Sequence, residues 1–244
     1  MAGRFYPGDP AELARVVASL FPQPPPVGEH ALGIMVPHAG YPYSGRVAAQ
    51  TIAAVRVPRS VLLLGPNHTG LGQPSALWPE GDWDLPGGRV PLDEPLTRAL
   101  LAATECEADT AAHLREHCLE VQLPLLRAAQ PDLHIAALCL GSLSLARCLS
   151  LGRSLGQALA RLEPDERPLL VASTDMSHYI SARAAARADE LALGHVLSLD
   201  AEGLYHRVVE ERLSMCGFVP TTVVLAALRQ LGASSARLIA YTHS

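Results

Sequence analysis

Three apolar runs of this chain end on residues that can bind a metal or move a proton. "GIMV" leads into "PHAGYPYSG" and His38, "VLLLGPNHTG" carries His68, and "LLVASTDMSHY" closes on Asp175 and His178. Buried parallel strands bring their carboxyl ends together along one edge, where loops diverge and helix N-termini point free N–H groups inward. A single strand-end histidine needs no more than a hydrogen-bonding partner in a turn. Three strands ending alike predict a shared pocket with convergent polar groups.

Further candidates lie outside these strands. In "SMCGFVP", Cys216 stands immediately before a predicted helix, whose dipole and free N–H groups favour thiolate. Such a thiolate can ligate a soft or borderline metal or act as a nucleophile; the plainer reading is a buried cysteine serving as a small hydrophobe. "REHCLEVQLPLL" places Glu116, His117 and Glu120 on a predicted helix, with His117 and Glu120 three apart and so on one face. It lacks the second histidine of the HExxH and HxxEH zinc-protease motifs. Ser44 or Ser173 could be combined with His178 and Asp175 as a hydrolase, but no GxSxG turn supports this, and Cys216 with a histidine is the better nucleophile. His30, His113, His134, His195, His206, His243 and Tyr205 have no comparable company and read as structural or surface residues.

The elements that must position these groups alternate along the chain. "AELARVVASLF" has Leu13, Val16, Val17 and Leu20 at helical spacing, with Asp9 as N-cap and Pro10 in the first turn. "ALGIMV", "SVLLLGP", "HIAALCLG" and "PLLVAS" read as buried strands. Between them "YSGRVAAQTIAAV", "DEPLTRALLAATE", "EHCLEVQLPLLRAAQ" and "SLARCLSLGRSLGQALARL" read as helices, and "WPEGDWDLPGGRVPLD" as a turn-rich excursion or hairpin. Three helices follow in "SARAAARADELALGHVLSL", "AEGLYHRVVEERL" and "GFVPTTVVLAALRQLG", and "ARLIAYT" reads as a last strand. The alternation predicts an α/β fold: one domain over residues 1–244, its largely parallel or mixed sheet covered by helices on both faces.

Composition bounds the function. About half of the 244 residues are hydrophobic (49%), enough for one sizeable core. A net charge of −5 with no basic run argues against nucleic acid as a partner. The chain has no lysine, so all 19 cationic side chains are arginine. Schiff-base catalysis, a pyridoxal-phosphate anchor and a complete GxxxxGK[ST] phosphate loop are thereby excluded. Five cysteines without CxxC spacing do not form a disulfide framework. The absence of a leader-like segment or a long apolar span leads to the expectation of a cytoplasmic protein with no membrane association.

The succession "AGRFYPGDPAEL", "VPHAGYPYSG", "LGPNHTG", "EHCLEVQLPLL", "ASTDMSHY" and "MCGFVP" resembles the Memo family, whose bacterial members are labelled AmmeMemoRadiSam system protein B. The resemblance runs in order over nearly the whole chain. It implies a fold similar to the class III extradiol dioxygenases, which hold non-haem iron(II) with two histidines and a carboxylate. It assigns His38, His68 and Cys216 as metal ligands, with cysteine where those enzymes have glutamate, and His178 with Asp175 as the acid–base pair. Tyr41, Tyr43, His117 and Glu120 are expected to bind substrate.

The implied cofactor is iron(II) or copper, with zinc also compatible, because thiolate is softer than carboxylate. The implied function is a metal-dependent redox role toward a small-molecule or peptide ligand. A non-catalytic module holding a peptide, a metal or a partner protein is the alternative, and a cysteine-nucleophile hydrolase is a third reading. Bacterial relatives suggest association with a radical-SAM protein and an AMMECR1-type protein. Family chains usually continue past "YTHS" through a further strand, so the sheet is expected to lack a C-terminal strand.

Overall fold

The computed structural model describes residues 1–24 and 26–242; His243, read above as structural or surface, lies outside them. A first helix, α1 (Pro10–Leu20), opens where expected, with the Asp9 side chain accepting from the backbone N–H of Glu12. This N-cap satisfies one of the donors that a helix start leaves free. Strand β1 (Gly33–Val36), helix α2 (Tyr41–Ala53) and strand β2 (Ser60–Pro66) follow. The turn-rich excursion holds β3 (Ser75–Leu77) and an antiparallel hairpin, β4 (Trp83–Leu85) with β5 (Gly88–Val90). Helix α3 (Glu94–Ala103) and strand β6 (Glu107–Ala108) precede α4 (Leu123–Ala129), β7 (His134–Leu140), α5 (Leu145–Ala160) and β8 (Leu169–Ser173). Helices α6 (Ala182–Leu197), α7 (Ala201–Glu210) and α8 (Phe218–Gln230) complete the elements.

The main sheet has six strands in the order β1-β8-β2-β7-β3-β6. β1, β8, β2 and β7 are mutually parallel, β3 runs antiparallel to β7, and β6 is parallel to β3, so the sheet is mixed. Alternate residues of the apolar strands serve opposite faces, as the pleat requires. Val61, Leu63, Ile135 and Val171 meet Val17 of α1, Ile52 of α2 and Leu126 of α4. Leu62, Leu64, Leu138 and Leu170 meet Leu100 of α3, Leu155 of α5 and Val223 of α8. Both faces are thus covered, and each fully buried leucine contributes roughly 1.5–3 kcal/mol. α6 and α7 extend the second layer, with Leu204 and Val208 packed alongside Leu225 of α8. This architecture is a single α/β domain compatible with the class III extradiol dioxygenase fold.

Two expected elements differ. The predicted helix from Glu116 onward is a turn, then a short 3-10 segment (Glu120–Gln122), and only then α4. The Glu116 carboxylate accepts from the backbone N–H groups of His117 and Cys118, which folds the chain around a buried side chain instead of into a first helical turn. The segment "ARLIAYT" is not a strand in its described residues. Side-chain anchors secure it: Arg237 pairs with Glu29 at 3.1 Å, and the Tyr241 hydroxyl donates to Asp189 at 2.7 Å.

Candidate metal centre

The strand order decides which chain ends meet. Val36 lies opposite Ser173 in the β1–β8 register, so the loop after β1 leaves beside the loop after β8. The backbone N–H of His38 donates to Asp175 Oδ1 at 2.7 Å, and that of Ala39 to the same oxygen at 3.1 Å. His38 is buried, with Nδ1 3.0 Å from the Ser173 hydroxyl. Ser173 gives its own proton to the Cys118 carbonyl at 2.6 Å and accepts from Gln122 Nε2 at 2.9 Å. Its oxygen is therefore an acceptor toward His38, so Nδ1 carries the proton and Nε2 keeps its lone pair. That Nε2 lies 3.2 Å from Cys216 Sγ.

Cys216 stands just before α8, whose N-cap is Gly217, and its sulfur also accepts from the backbone N–H of Asp175 at 3.3 Å. Burial pushes the thiol up, but its close approach to the His38 and His68 rings outweighs this and brings Cys216 down to about 6. His68 is held up at about 10, first by Cys216 and then by Glu116. One ligating atom each from His38, His68 and Cys216 lies within 4.8 Å of the others. Two imidazoles and a thiolate in that space are a donor set that could hold a metal ion.

Asp175 and His178 border this cluster. Asp175 Oδ2 is 3.9 Å from His38 Nε2 and 3.9 Å from His178 Nε2. Burial raises the carboxyl, yet His178 and the backbone N–H groups of His38 and Ala39 hold it at about 2. His178 gives Nδ1–H to the Ser214 carbonyl at 2.9 Å, which leaves Nε2 toward Asp175, and the neighbouring carboxylate raises it to about 9. Asp175, His178 and Cys216 form a second potential donor group that shares the sulfur. The same loop opens onto a cavity of about 1240 Å³ lined by apolar residues such as Ile34, Met35, Val47 and Leu225.

A Memo-like protein family model matches residues 1–244. This chain belongs to the Memo family. A MEMO1 family protein of Aquifex aeolicus is 37% identical over 245 residues, covering all of this chain and 90% of the relative. A MEMO1 family protein of Thermotoga neapolitana is 37% identical over 260 residues, covering 100% and 91%. One from Methanococcoides burtonii is 33% identical over 242 residues, covering 99% and 90%.

Within this Memo-family chain the expected site residues divide. His38, His68, Cys216, Asp175 and His178 converge. His117 joins them although its segment is not helical: its ring stacks between Phe5 at 4.3 Å and His68 at 4.8 Å, and its centroid is 5.3 Å from that of His38. Glu120 points elsewhere, to the chain's amino group at 2.7 Å and the Tyr6 hydroxyl at 2.6 Å. Tyr41 is buried and donates to the Val121 carbonyl, whereas Tyr43 is 66% exposed and borders the cavity. Sequence reasoning missed Ser173 and Gln122 as supports of His38 and gave Glu116 no role at the site. Only Glu116 had a legible signal, its place beside His117. Among the described residues no helix is long and apolar enough to cross a membrane.

Proposed function

We propose that this Memo-family protein holds a metal ion between His38 Nε2, His68 Nε2 and Cys216 Sγ and serves a metal-dependent redox role. The observation that supports this most directly is three ligating atoms within 4.8 Å, with His38 held by Ser173 in the tautomer a metal requires. Iron(II) and copper fit the set, zinc being also compatible, since imidazole suits all three and thiolate favours the softer ions. A bound ion would supply Lewis acidity and, for iron or copper, one-electron chemistry.

The protein's own groups do the rest. His178 Nε2, oriented by Ser214, can give or take a proton at a ligand entering from the cavity. Asp175 keeps that imidazole charged and, through two backbone N–H groups, fixes the loop carrying His38. The cavity is lined by apolar Ile34, Met35, Val47 and Leu225 and by polar Asp175, His178 and Asp189, and so suits a ligand with a non-polar body and a polar group.

The test is metal content of untagged protein purified anaerobically, beside His38→Ala, His68→Ala and Cys216→Ser. Wild type is expected to retain about one ion per chain and the variants to lose it; unchanged content in the variants would refute the ligand set. Oxygen uptake by the iron-loaded protein with phenolic ligands, abolished by His178→Ala, separates turnover from a non-catalytic binding role. A cysteine-nucleophile reading is favoured by one observation, the 3.2 Å approach of Cys216 Sγ to His38 Nε2. It predicts electrophile-trapped acyl or alkyl adducts on Cys216 and activity indifferent to chelators.

A further inference from the structure

Glu116 is buried, with 3% of its surface exposed, and no arginine pairs with it among the described residues. Its Oε2 accepts the backbone N–H of His68 at 2.6 Å. Its Oε1 lies 2.9 Å from His68 Nδ1 and 3.1 Å from His117 Nδ1, and accepts from the backbone N–H groups of His117 at 2.8 Å and Cys118 at 3.1 Å. A carboxylate whose only task was to tie the loop after β2 to the segment before α4 would need the backbone contacts alone. Here the oxygen is also aimed at two imidazoles.

We infer that Glu116 is a positioning residue of the centre, fixing the ring and tautomer of His68 and locking His117 against it. The inference rests on the metal-centre reading for its consequence, though not for its geometry. An ionised carboxylate only accepts, so His68 presents Nδ1–H to it and is left with Nε2 as the nitrogen that can ligate. The same oxygen lies 3.1 Å from His117 Nδ1, and the two rings stack at 4.8 Å, so the His68 ring is held by the carboxylate at its edge and by His117 on its face. The His38 ring has its own support in Ser173, so the two histidine ligands are oriented by separate groups.

Glu116→Gln tests this, since the amide has nearly the same shape. With its oxygen toward the imidazoles, its NH₂ faces the His68 backbone N–H. Flipped, the NH₂ faces the N–H groups of His117 and Cys118, and it can bond His68 Nδ1 only if the ring proton moves to Nε2. Either arrangement leaves buried donors opposed and weakens presentation of Nε2.

Two readouts are used on the full chain. The first is cobalt(II) affinity by chelator competition with the visible spectrum recorded, for wild type, Glu116→Gln and His38→Ala. Glu116→Gln is expected to lose roughly 10- to 100-fold with altered cobalt bands. The second is the imidazole nitrogen NMR of metal-free, histidine-labelled protein, where wild type is expected to show a slowly exchanging His68 Nδ1 proton that Glu116→Gln loses.

If wild type and His38→Ala bind cobalt alike, the metal reading fails while the NMR still decides the role of Glu116. Wild-type affinity, spectrum and His68 signal in Glu116→Gln overturn the inference. Should that variant not fold, a fast-exchanging His68 Nδ1 proton in the wild type overturns it equally.

Discussion

Gly217 is where the packing of the sheet edge meets the chemistry, and Gly217→Ala is the sharpest single perturbation of both. Its backbone, φ −97° and ψ 27°, is open to any residue, so the substitution is sterically and not conformationally challenged. An added Cβ would lie 2.3 Å from Thr174 Cβ and 2.5 Å from both the Ser173 carbonyl oxygen and Thr174 Oγ1, where ordinary contacts begin at 3.4 Å. Relief requires a movement of about 1 Å. Thr174 and Ser173 are fully buried, and Thr174 Oγ1 already holds the Gly217 N–H at 2.9 Å, so Cys216 and the start of α8 must yield. Overpacking of this kind costs about 1–3 kcal/mol, against about 0.4–1 kcal/mol gained by stiffening the unfolded chain. A movement of about 1 Å also exceeds the roughly 0.2 Å tolerance of metal–ligand distances. Urea unfolding should show a lower midpoint at unchanged slope, and cobalt affinity should fall roughly tenfold or more. A variant as stable as wild type with unaltered cobalt affinity would show that Cys216 is not seated by this contact.

Other outcomes follow from particular contacts. His113 is buried beside Trp78 and Trp83, and burial lowers it from 6.5 to about 4. Its folded value lies below its unfolded one, so its contribution is complete above pH 6.5 and lost as pH falls toward 4, by about 3 kcal/mol; His113→Gln should flatten that part of a stability-versus-pH curve, and an unchanged curve refutes the assignment. Gly152 of α5 would place a Cβ 2.5 Å from the Val223 carbonyl oxygen and from Ala226 Cβ, so Gly152→Leu should force α5 and α8 apart and lower the thermal midpoint by several degrees, read by calorimetry. Asp9→Ala removes the α1 cap and should cost about 1 kcal/mol in urea unfolding with no change in metal content. Cys216 should be the first thiol alkylated under native conditions, since the other four are buried and their thiols are pushed up, and bound metal should protect it; mass mapping that finds Cys118 or Cys139 modified first contradicts this.

The apolar runs, their turn-forming ends and the placement of Cys216 before a helix are local features, and the sequence by itself determined them. Period and composition made β1, β2, β7, β8 and most helices legible, and they put His38, His68, Asp175 and His178 at strand ends. The order β1-β8-β2-β7 came only from the tertiary structure, because pairing between parallel strands is set by packing across long chain separations. That order brings His38 beside Asp175, residues 137 apart. Long-range hydrogen bonding likewise ties Glu116 to His68 across 48 residues, turning an apparent helix start into a turn around a buried carboxylate. His117 was expected at the site by motif, but only its stacking on His68 places it there, and Glu120, expected beside it, is drawn off by Tyr6 and the amino terminus. The segment "ARLIAYT" has the residue types of a strand, yet a strand requires a neighbour's backbone, and side-chain anchors to Glu29 and Asp189 secure it instead. Residue types and local pattern thus specified which groups could do chemistry, and long-range hydrogen bonding decided which of them face one another.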